Sequence, residues 1–434
     1  MPASQQCIRA PPPCPPPPRL RAHLLRAPPR LVHPAQLPHH FKGDQPQYTA
    51  LSGATQTGPN TFWTKTALQY ASSSGDLEWL KSYLPTLRNS SDFCFDLIDP
   101  TVNLLDAPGS LMIDVFIRAH FTADSNAMMV GFLKQFAEAE RAVGSVDKAV
   151  ALEAQAGRVK DAMNAKLWAP AASGDDHYIT QLNPDGTTRD FVDYDANLIA
   201  LAHGVPDPER AARVLKRIDS GRCSAAQGAG PQFVSEVYYG KKDTTSGNTG
   251  DSWCSMGRIA WFDAHARKLL GSDDALAAFD AQLLVLQDDL IADTWMHERY
   301  GCDGKQQQNR TSHYFEYPST VAMLLREIRY GIKLGFQSVA IAPFGTFPDG
   351  FTYDIGNVFV QYGADELAIS VPGSGDKSYS VAGLKAGTAF TFTSADCAHV
   401  PAPATVDAAG MLAFVAPVGC RISAAATATA GARV

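Results

Sequence analysis

The sequence of 434 residues lacks several features, and each absence excludes a class of protein. No apolar run approaches the roughly 20 residues that a membrane-spanning helix needs, so no membrane is expected as a partner. Basic residues number 37 against 44 acidic ones, and the net charge of −7 argues against nucleic acid as the main partner. The 8 cysteines are too few and too scattered for a disulfide scaffold, and no pair has metal-ligand spacing. The sequence therefore predicts neither a metal nor a cofactor.

The first part of the chain lacks any helix or strand pattern. Residues 7–38 are rich in proline, which has a fixed φ and no backbone N–H, so residues 1–55 are predicted to be a disordered leader. Six basic residues but no acidic residue precede Asp44, a bias typical of organelle transit peptides and also compatible with a linker. Asn89 and Asn309 begin glycosylation sequons. Organelle targeting and secretion of a soluble protein both stay open, and the localisation is undecided.

Residues 56–340 carry a helical pattern. Apolar residues recur at helical spacing between Ser125 and Gly144, and again from Leu152 to Leu167 after a short turn, which predicts two antiparallel helices. Similar helix pairs recur to residue 290. Long, unequal loops alternate with short turns and no fixed repeat period is visible, which favours a closed toroid of helical hairpins over an open solenoid. About nine or ten helices are recognisable, against twelve in six hairpins, so the toroid can be incomplete.

After residue 340 the spacing of apolar residues becomes that of strands. Short β-branched or aromatic runs, such as Val358–Tyr362, are separated by Gly, Pro, Asp and Ser. This pattern predicts an antiparallel β-sandwich over residues 341–424, within which Cys397 and Cys420 can be neighbours. The Ala- and Thr-rich residues 425–434 are predicted to be a disordered tail.

The segment 292–343 holds the densest cluster of polar and aromatic side chains. They surround a loop rich in Gly and Gln, and a helical pattern follows in which Val321, Leu324, Leu325, Ile328 and Ile332 share one face and Gly335 ends the helix. Such a loop is either solvated or wraps a ligand. The order of its motifs is Trp295 to Glu298, Asp303-Gly304, Ser312-His313-Tyr314 and Tyr330-Gly331-Ile332.

This order resembles the last barrel segment of the α-L-rhamnosidase-like six-hairpin glycosidases. Asp195-Ala196-Asn197-Leu198, leading to His203-Gly204, resembles an interior segment of the same group. The resemblance covers roughly residues 60–345. It implies a mainly α protein, an (α/α)6-type helical toroid followed by a small antiparallel β-sandwich, that acts on a carbohydrate or glycoconjugate.

Glycoside hydrolysis needs one carboxyl group as acid and a second as base or nucleophile. The resemblance assigns the general base to Glu298. It places Asp114 where the family has an Asp-Trp pair, as a sugar-binding group or a substitute acid, although Asp114 between two apolar residues equally suits a buried, hydrogen-bonded carboxylate. The family's upstream acidic motif, which contains Gly and Trp, is not found in this chain, so the identity of the acid stays open.

Six further residues are candidates for binding the sugar. Aromatic rings pack on the C–H faces of sugars, while hydroxyl groups need polar partners. The aromatic candidates are Trp295, Trp253 and Tyr239, and the polar candidates are His313, Asp195 and Asn126.

Three functions are compatible with these residues. The first is a glycosidase, with inversion of the anomeric carbon favoured by the resemblance. The second is a polysaccharide lyase on a helical toroid, in which Tyr300, Tyr314 or His313 would act as base and acid. The third is a truncated, non-catalytic carbohydrate-binding relative. The sequence does not indicate the sugar, the linkage or the oligomeric state.

Overall fold

The computed structural model describes residues 33–112, 116–190, 192–220, 257–271, 275–293, 317–347, 350–363 and 365–427. From Ala35 onward the chain forms one compact unit. Helices dominate its first part and strands its second part, which confirms the predicted order of a helical domain and a β domain. The helices are α1 (Gly58–Ser74), α2 (Leu77–Phe95), α3 (Ala123–Ala142), α4 (Val146–Lys166), α5 (Tyr194–Ala202), α6 (Pro208–Ser220), α7 (Gly257–Leu270), α8 (Ala275–Asp293) and α9 (Tyr317–Met323), which continues as a π-helix (Leu324–Arg329).

The helices pack as successive hairpins. α1 lies against α2 and α3 against α4, while α3 also contacts α1 and α5, and α7 contacts α5 and α9. Gln69 near the end of α1 donates a 2.7 Å hydrogen bond to Glu327 in the π-helix. The C-terminal ends of the first and last odd-numbered helices therefore meet. No helix in the described part of the chain is both long and apolar enough to cross a membrane.

Short strands lie before α1 and between some of the helices. These are β1 (His40–Lys42), β2 (Gln45–Gln47), β3 (Ile98–Asp99), β4 (Leu104–Leu105), β5 (Phe121–Thr122), β6 (Gln181–Leu182) and β7 (Thr188–Arg189). β5, β6 and β7 form one small sheet, which ties the loop before α3 to the loop before α5.

The segment before α1 differs from the predicted leader. β1 and β2 pair within residues 1–55, and Ala35 is only 5% exposed. Asn60 of α1 accepts a hydrogen bond from Leu37 N and donates one to Ala35 O, at 2.9 and 2.8 Å. The prediction of disorder up to residue 55 is therefore corrected from Ala35 onward, because a helix side chain holds this backbone.

The helix after residue 317 is shorter than predicted. It ends at Arg329, and Ile332 lies in a strand. Gly331 has φ +64°, and a Cβ atom there would lie 1.8 Å from Ala342 O, so glycine is required where the chain turns back. The β region accordingly begins at Ile332, before the predicted boundary at residue 341.

The β region consists of two sheets around one apolar core. The strands are β8 (Ile332–Leu334), β9 (Ser338–Ile341), β10 (Phe351–Ile355), β11 (Val358–Tyr362), β12 (Glu366–Ser370), β13 (Asp376–Val381), β14 (Ala389–Thr393), β15 (Ala404–Thr405), β16 (Leu412–Pro417) and β17 (Arg421–Ala426). One sheet has the order β10-β11-β12-β17-β14-β15 and the other β16-β13-β9-β8. The pairing of β9 with β13 is parallel, so the sheets are not purely antiparallel as predicted. Cys397 and Cys420 form a disulfide within this region.

Candidate functional site

A buried ionic cluster lies where α3 and α5 begin. Arg118 Nη1 is 3.2 Å from Asp124 Oδ2 and 2.6 Å from Asp193 Oδ2. Arg118 and Asp124 are each 4% exposed, and Asp193 is completely buried. The guanidinium group also lies over the ring of Phe116, 4.4 Å from its centroid. The cluster therefore fastens the loop before α3 to the first turns of both helices.

Two asparagines in these first turns hold the incoming loops. Asn126 accepts a hydrogen bond from Leu105 N at 2.7 Å and donates to the carbonyl oxygens of Leu105 and Thr122. Asn197 accepts from Tyr178 N at 2.8 Å and donates to the carbonyl oxygens of Tyr178 and Asp193. Each side-chain amide thus binds both the backbone N–H and the backbone C=O of one loop residue.

The sequence carries a signal for this arrangement in a repeated Asp-x-Asn motif. Asp124-Ser125-Asn126 and Asp195-Ala196-Asn197 occupy the first turns of α3 and α5. Asn60 holds the loop before α1 in a similar way. The repeat identifies the residues that position the loops.

The carboxyl group of Asp193 is perturbed. Burial raises its pKa, the charges of Asp195 and Asp124 raise it further, and Arg118 offsets only part of this, so that the pKa of Asp193 is raised to about 6. Asp193 also caps α5, because its side chain accepts a hydrogen bond from Asp195 N. Since the side chain has no exposed surface, we assign it to positioning rather than to contact with a ligand.

A second ionic group, in which the buried His177 bridges two partly exposed aspartates, stabilises the loop before α5. His177 Nδ1 lies 2.7 Å from Asp176 Oδ1, and its Nε2 lies 2.7 Å from Asp190 Oδ2. Burial lowers the pKa of His177, but the hydrogen bonds and charges of Asp190 and Asp176 outweigh it, so the pKa is raised overall. The imidazole of His177 thus connects the two ends of this part of the loop, at Asp176 and Asp190.

The connections between helices differ in length. The chain passes from α1 to α2, α3 to α4 and α7 to α8 through residues 75–76, 143–145 and 271–274. It enters α3 and α5 through the much longer segments 96–122 and 167–193, whereas residues 221–256 and 294–316, which precede α7 and α9, lie outside the described residues. Long loops in a rigid helical scaffold are typical carriers of binding and catalytic residues.

Two of the eight predicted site residues lie in the part of the chain that the structure describes. Asp195 and Asn126 are described, both are buried, and the amide of Asn126 is engaged by backbone groups. Six predicted residues lie outside the described residues: Asp114, Tyr239, Trp253, Trp295, Glu298 and His313. Tyr300 and Tyr314 also lie outside them. Within the described residues, no group of three or more His, Cys, Asp or Glu side chains could hold a metal ion.

The chain matches no protein-family model and no curated protein. Among solved structures, it is similar to a GH78 family rhamnosidase of Bacillus sp. GL1, with 19% identity, a TM-score of 0.50, and coverage of 75% of this chain and 31% of the rhamnosidase. It is also similar to a sialidase, with 10% identity, a TM-score of 0.50, and coverage of 84% and 32%. A GH63 mannosylglycerate hydrolase from Thermus thermophilus has 15% identity, a TM-score of 0.47, and coverage of 66% and 78%.

The chain therefore spans about a third of the length of the rhamnosidase and of the sialidase. At such low identity the likeness establishes the fold alone. In this chain that fold is a helical domain followed by a β domain.

Proposed function

We propose that the protein is a glycoside hydrolase that cleaves a terminal glycosidic bond. The observation that carries the proposal is the position of the predicted residues along the chain relative to the helices. Every predicted catalytic or sugar-binding residue lies either in a segment that enters an odd-numbered helix or in the first turn of such a helix. The resemblance of motifs and the glycosidase-type fold support the same function.

We further propose that the odd-numbered helices form the inner layer of a toroid and the even-numbered helices its outer layer. The contacts of α3 with α1 and α5, and of α7 with α5 and α9, support this arrangement. The hydrogen bond between Gln69 and Glu327 supports closure at the C-terminal ends of the inner helices. In such a ring the segments that enter the inner helices would gather at one face, where they could surround a substrate.

Within this proposal the two carboxyl groups have different roles. Glu298 removes a proton from water as the new bond from the water oxygen to the anomeric carbon forms, and Asp114 protonates the departing glycosidic oxygen. Inversion requires the two groups to be roughly 6.5 to 9.5 Å apart, because the attacking water must fit between them. Trp295, Trp253 and Tyr239 would then supply apolar faces to the sugar.

The polar residues would complete the sugar site. His313 would bind sugar hydroxyl groups. We propose that Asn126 positions the loop before α3, as its hydrogen bonds to Leu105 indicate, and that the backbone N–H of Asp195 holds the carboxyl group of Asp193 beneath the site. The Arg118 cluster would hold the first turns of α3 and α5 in register under the loops.

The substitution Glu298→Gln tests the proposal. The amide keeps the shape of the side chain but cannot take a proton, so turnover on a panel of nitrophenyl glycosides should fall by about 10² to 10⁴. Binding of the sugar and the melting temperature should change little. His313→Ala should instead weaken binding, because its contact exists in both the ground state and the transition state.

Glu209→Gln is the matched control. Glu209 is an exposed glutamate of α6, and its side chain is 85% exposed, so turnover should stay at the wild-type level. Full turnover of Glu298→Gln, or its unfolding, would contradict the assigned role. An unsaturated product that absorbs ultraviolet light would identify a lyase, and sugar binding without turnover would identify a non-catalytic relative.

A further inference from the structure

A cavity of about 660 Å³ lies among the odd-numbered helices. Its walls come from α1, α3, α5, α7 and the end of α9, and β8 and β9 cover it. On α3 the lining begins at Met128 and extends to Glu138, which lies about 21 Å along the helix from Asp124 at 1.5 Å per residue. Along α3 the cavity therefore extends away from the Arg118 cluster.

The described lining of this cavity carries more positive than negative charge. Four cationic side chains line it together with two carboxylates, Glu138 and Glu327. The carboxylate of Glu327 is already satisfied, since it accepts hydrogen bonds from Gln69, Trp261 and Arg326 at 2.7, 3.2 and 2.7 Å. The four cationic side chains are Lys65, Lys134, Arg326 and Lys333.

Some of the lysines in this region bind carbonyl groups at helix ends. Lys134 donates to His203 O at 3.4 Å, and Lys268 beside the cavity donates to Ile328 O at 3.0 Å. Such bonds compensate the partial negative charge of helix C-termini. These two lysines therefore have a structural role.

Lys65 and Lys333 have only neutral hydrogen-bond partners in the described part of the chain. Lys65 donates to Gln135 Oε1 at 3.1 Å, and Lys333 Nζ lies 3.4 Å from His265 Nδ1. Burial lowers the pKa of Lys65 to about 8, although Glu138 and Glu327 oppose the shift, and burial also lowers the pKa of Lys333. A bound anion would stabilise both ammonium groups in their charged form.

Part of the remaining lining is aromatic. His203 Nε2 is buried and has no hydrogen-bond partner among the described residues. Its ring lies directly against Gly131, where a Cβ atom would be 2.4 Å from Nδ1, so glycine makes room for it. Trp261 and Phe262 add an aromatic wall.

We propose that this cavity binds a sugar-sized anion that carries a carboxylate or phosphate group. Lys65 and Lys333 contact the anionic group, and Trp261 packs against the ring. The volume falls within the roughly 300 to 1,000 Å³ of ordinary small-molecule pockets. This binding site does not depend on the glycosidase proposal.

Calorimetric titration of the full chain with glucuronate, glucose 6-phosphate and glucose tests the proposal. At least one of the two anions should bind, and neutral glucose should bind about 10-fold more weakly or not at all. Glucuronate as the tighter ligand would identify a carboxylate site, and glucose 6-phosphate a phosphate site. Absence of binding by both anions, or equal binding of glucose, would overturn the proposal.

Lysine variants test whether the anion binds in this cavity. Lys65→Met should weaken the anion's affinity about 10- to 100-fold, whereas Lys65→Arg should retain most of it. Lys81→Met is the control, because Lys81 on α2 is exposed and pairs with Glu78. If Lys65→Met does not fold, Lys333→Met carries the same test. Unchanged affinity in Lys65→Met, or equal losses in Lys81→Met, would show that the anion binds elsewhere.

Discussion

The substitution Asp193→Asn should change the pH dependence of stability in a defined direction. The folded protein raises the pKa of Asp193 from 3.8 to about 6, because burial and the nearby Asp195 and Asp124 disfavour its charge. A raised pKa means that the folded state binds the proton more tightly than the unfolded state. The resulting stabilisation is fully present below the unfolded pKa and is lost as the pH rises through about 6.

The size of this effect follows from the pKa difference. At about 1.4 kcal/mol per pKa unit, the full stabilisation is about 3 kcal/mol, most of it lost between about pH 4 and pH 7. Asn cannot titrate, yet it can still cap α5 by accepting the hydrogen bond from Asp195 N. The stability of Asp193→Asn relative to wild type should therefore rise by about 2 to 3 kcal/mol over this interval.

Urea unfolding of both proteins at several pH values measures this difference. Any fixed cost of losing the contact with Arg118 cancels, because only the change with pH is compared. Asp76→Asn is the matched control, since Asp76 also caps a helix through a bond to Trp79 N but lies at the surface. Parallel stability curves for Asp193→Asn and wild type would refute the account of the cluster.

Two further substitutions test the ionic cluster and the disulfide. Arg118→Met should cost about 3 to 5 kcal/mol of unfolding free energy because it leaves buried carboxylates without that cation, whereas Arg141→Met, which breaks a surface pair, should cost less than about 1 kcal/mol. Equal losses of unfolding free energy in the two variants, measured by urea unfolding, would contradict a stabilising role for the buried Arg118 cluster. Cys397→Ser opens a loop with a sequence separation of 23 and should cost about 3 kcal/mol, and unchanged thermal unfolding would contradict a stabilising disulfide with Cys420.

Periodic apolar patterns predicted the elements that bury one continuous face. The helical pattern between Ser125 and Gly144 corresponds to α3 within a few residues, and the run Val358–Tyr362 is β11. Both patterns depend on local spacing, which a sequence displays directly. The prediction failed at Ile332, because one apolar residue at helical spacing also suits a short buried strand. The helix ends before Ile332 because Gly331 lies close to Ala342 O. This is a tertiary contact, which local spacing does not display.

Other features depended on partners distant in sequence. The packing of Ala35 is secured by Asn60, which proline content near the start of the chain does not reveal. Arg118 has ion-pair partners on two helices, one of them at Asp193, so no local pattern marks it. The Asp-x-Asn repeat is visible in the sequence. Its role in positioning the loops is clear only from the structure, in which these residues begin neighbouring helices.

The proposed function is tested most directly by proton NMR of a glycoside panel during incubation with the full chain. An inverting glycosidase should release a reducing sugar whose first-formed anomer is opposite to that of the substrate, and Glu298→Gln should abolish the release. Absence of a reducing sugar from every substrate, or signals of an unsaturated sugar, would contradict glycoside hydrolysis by this protein.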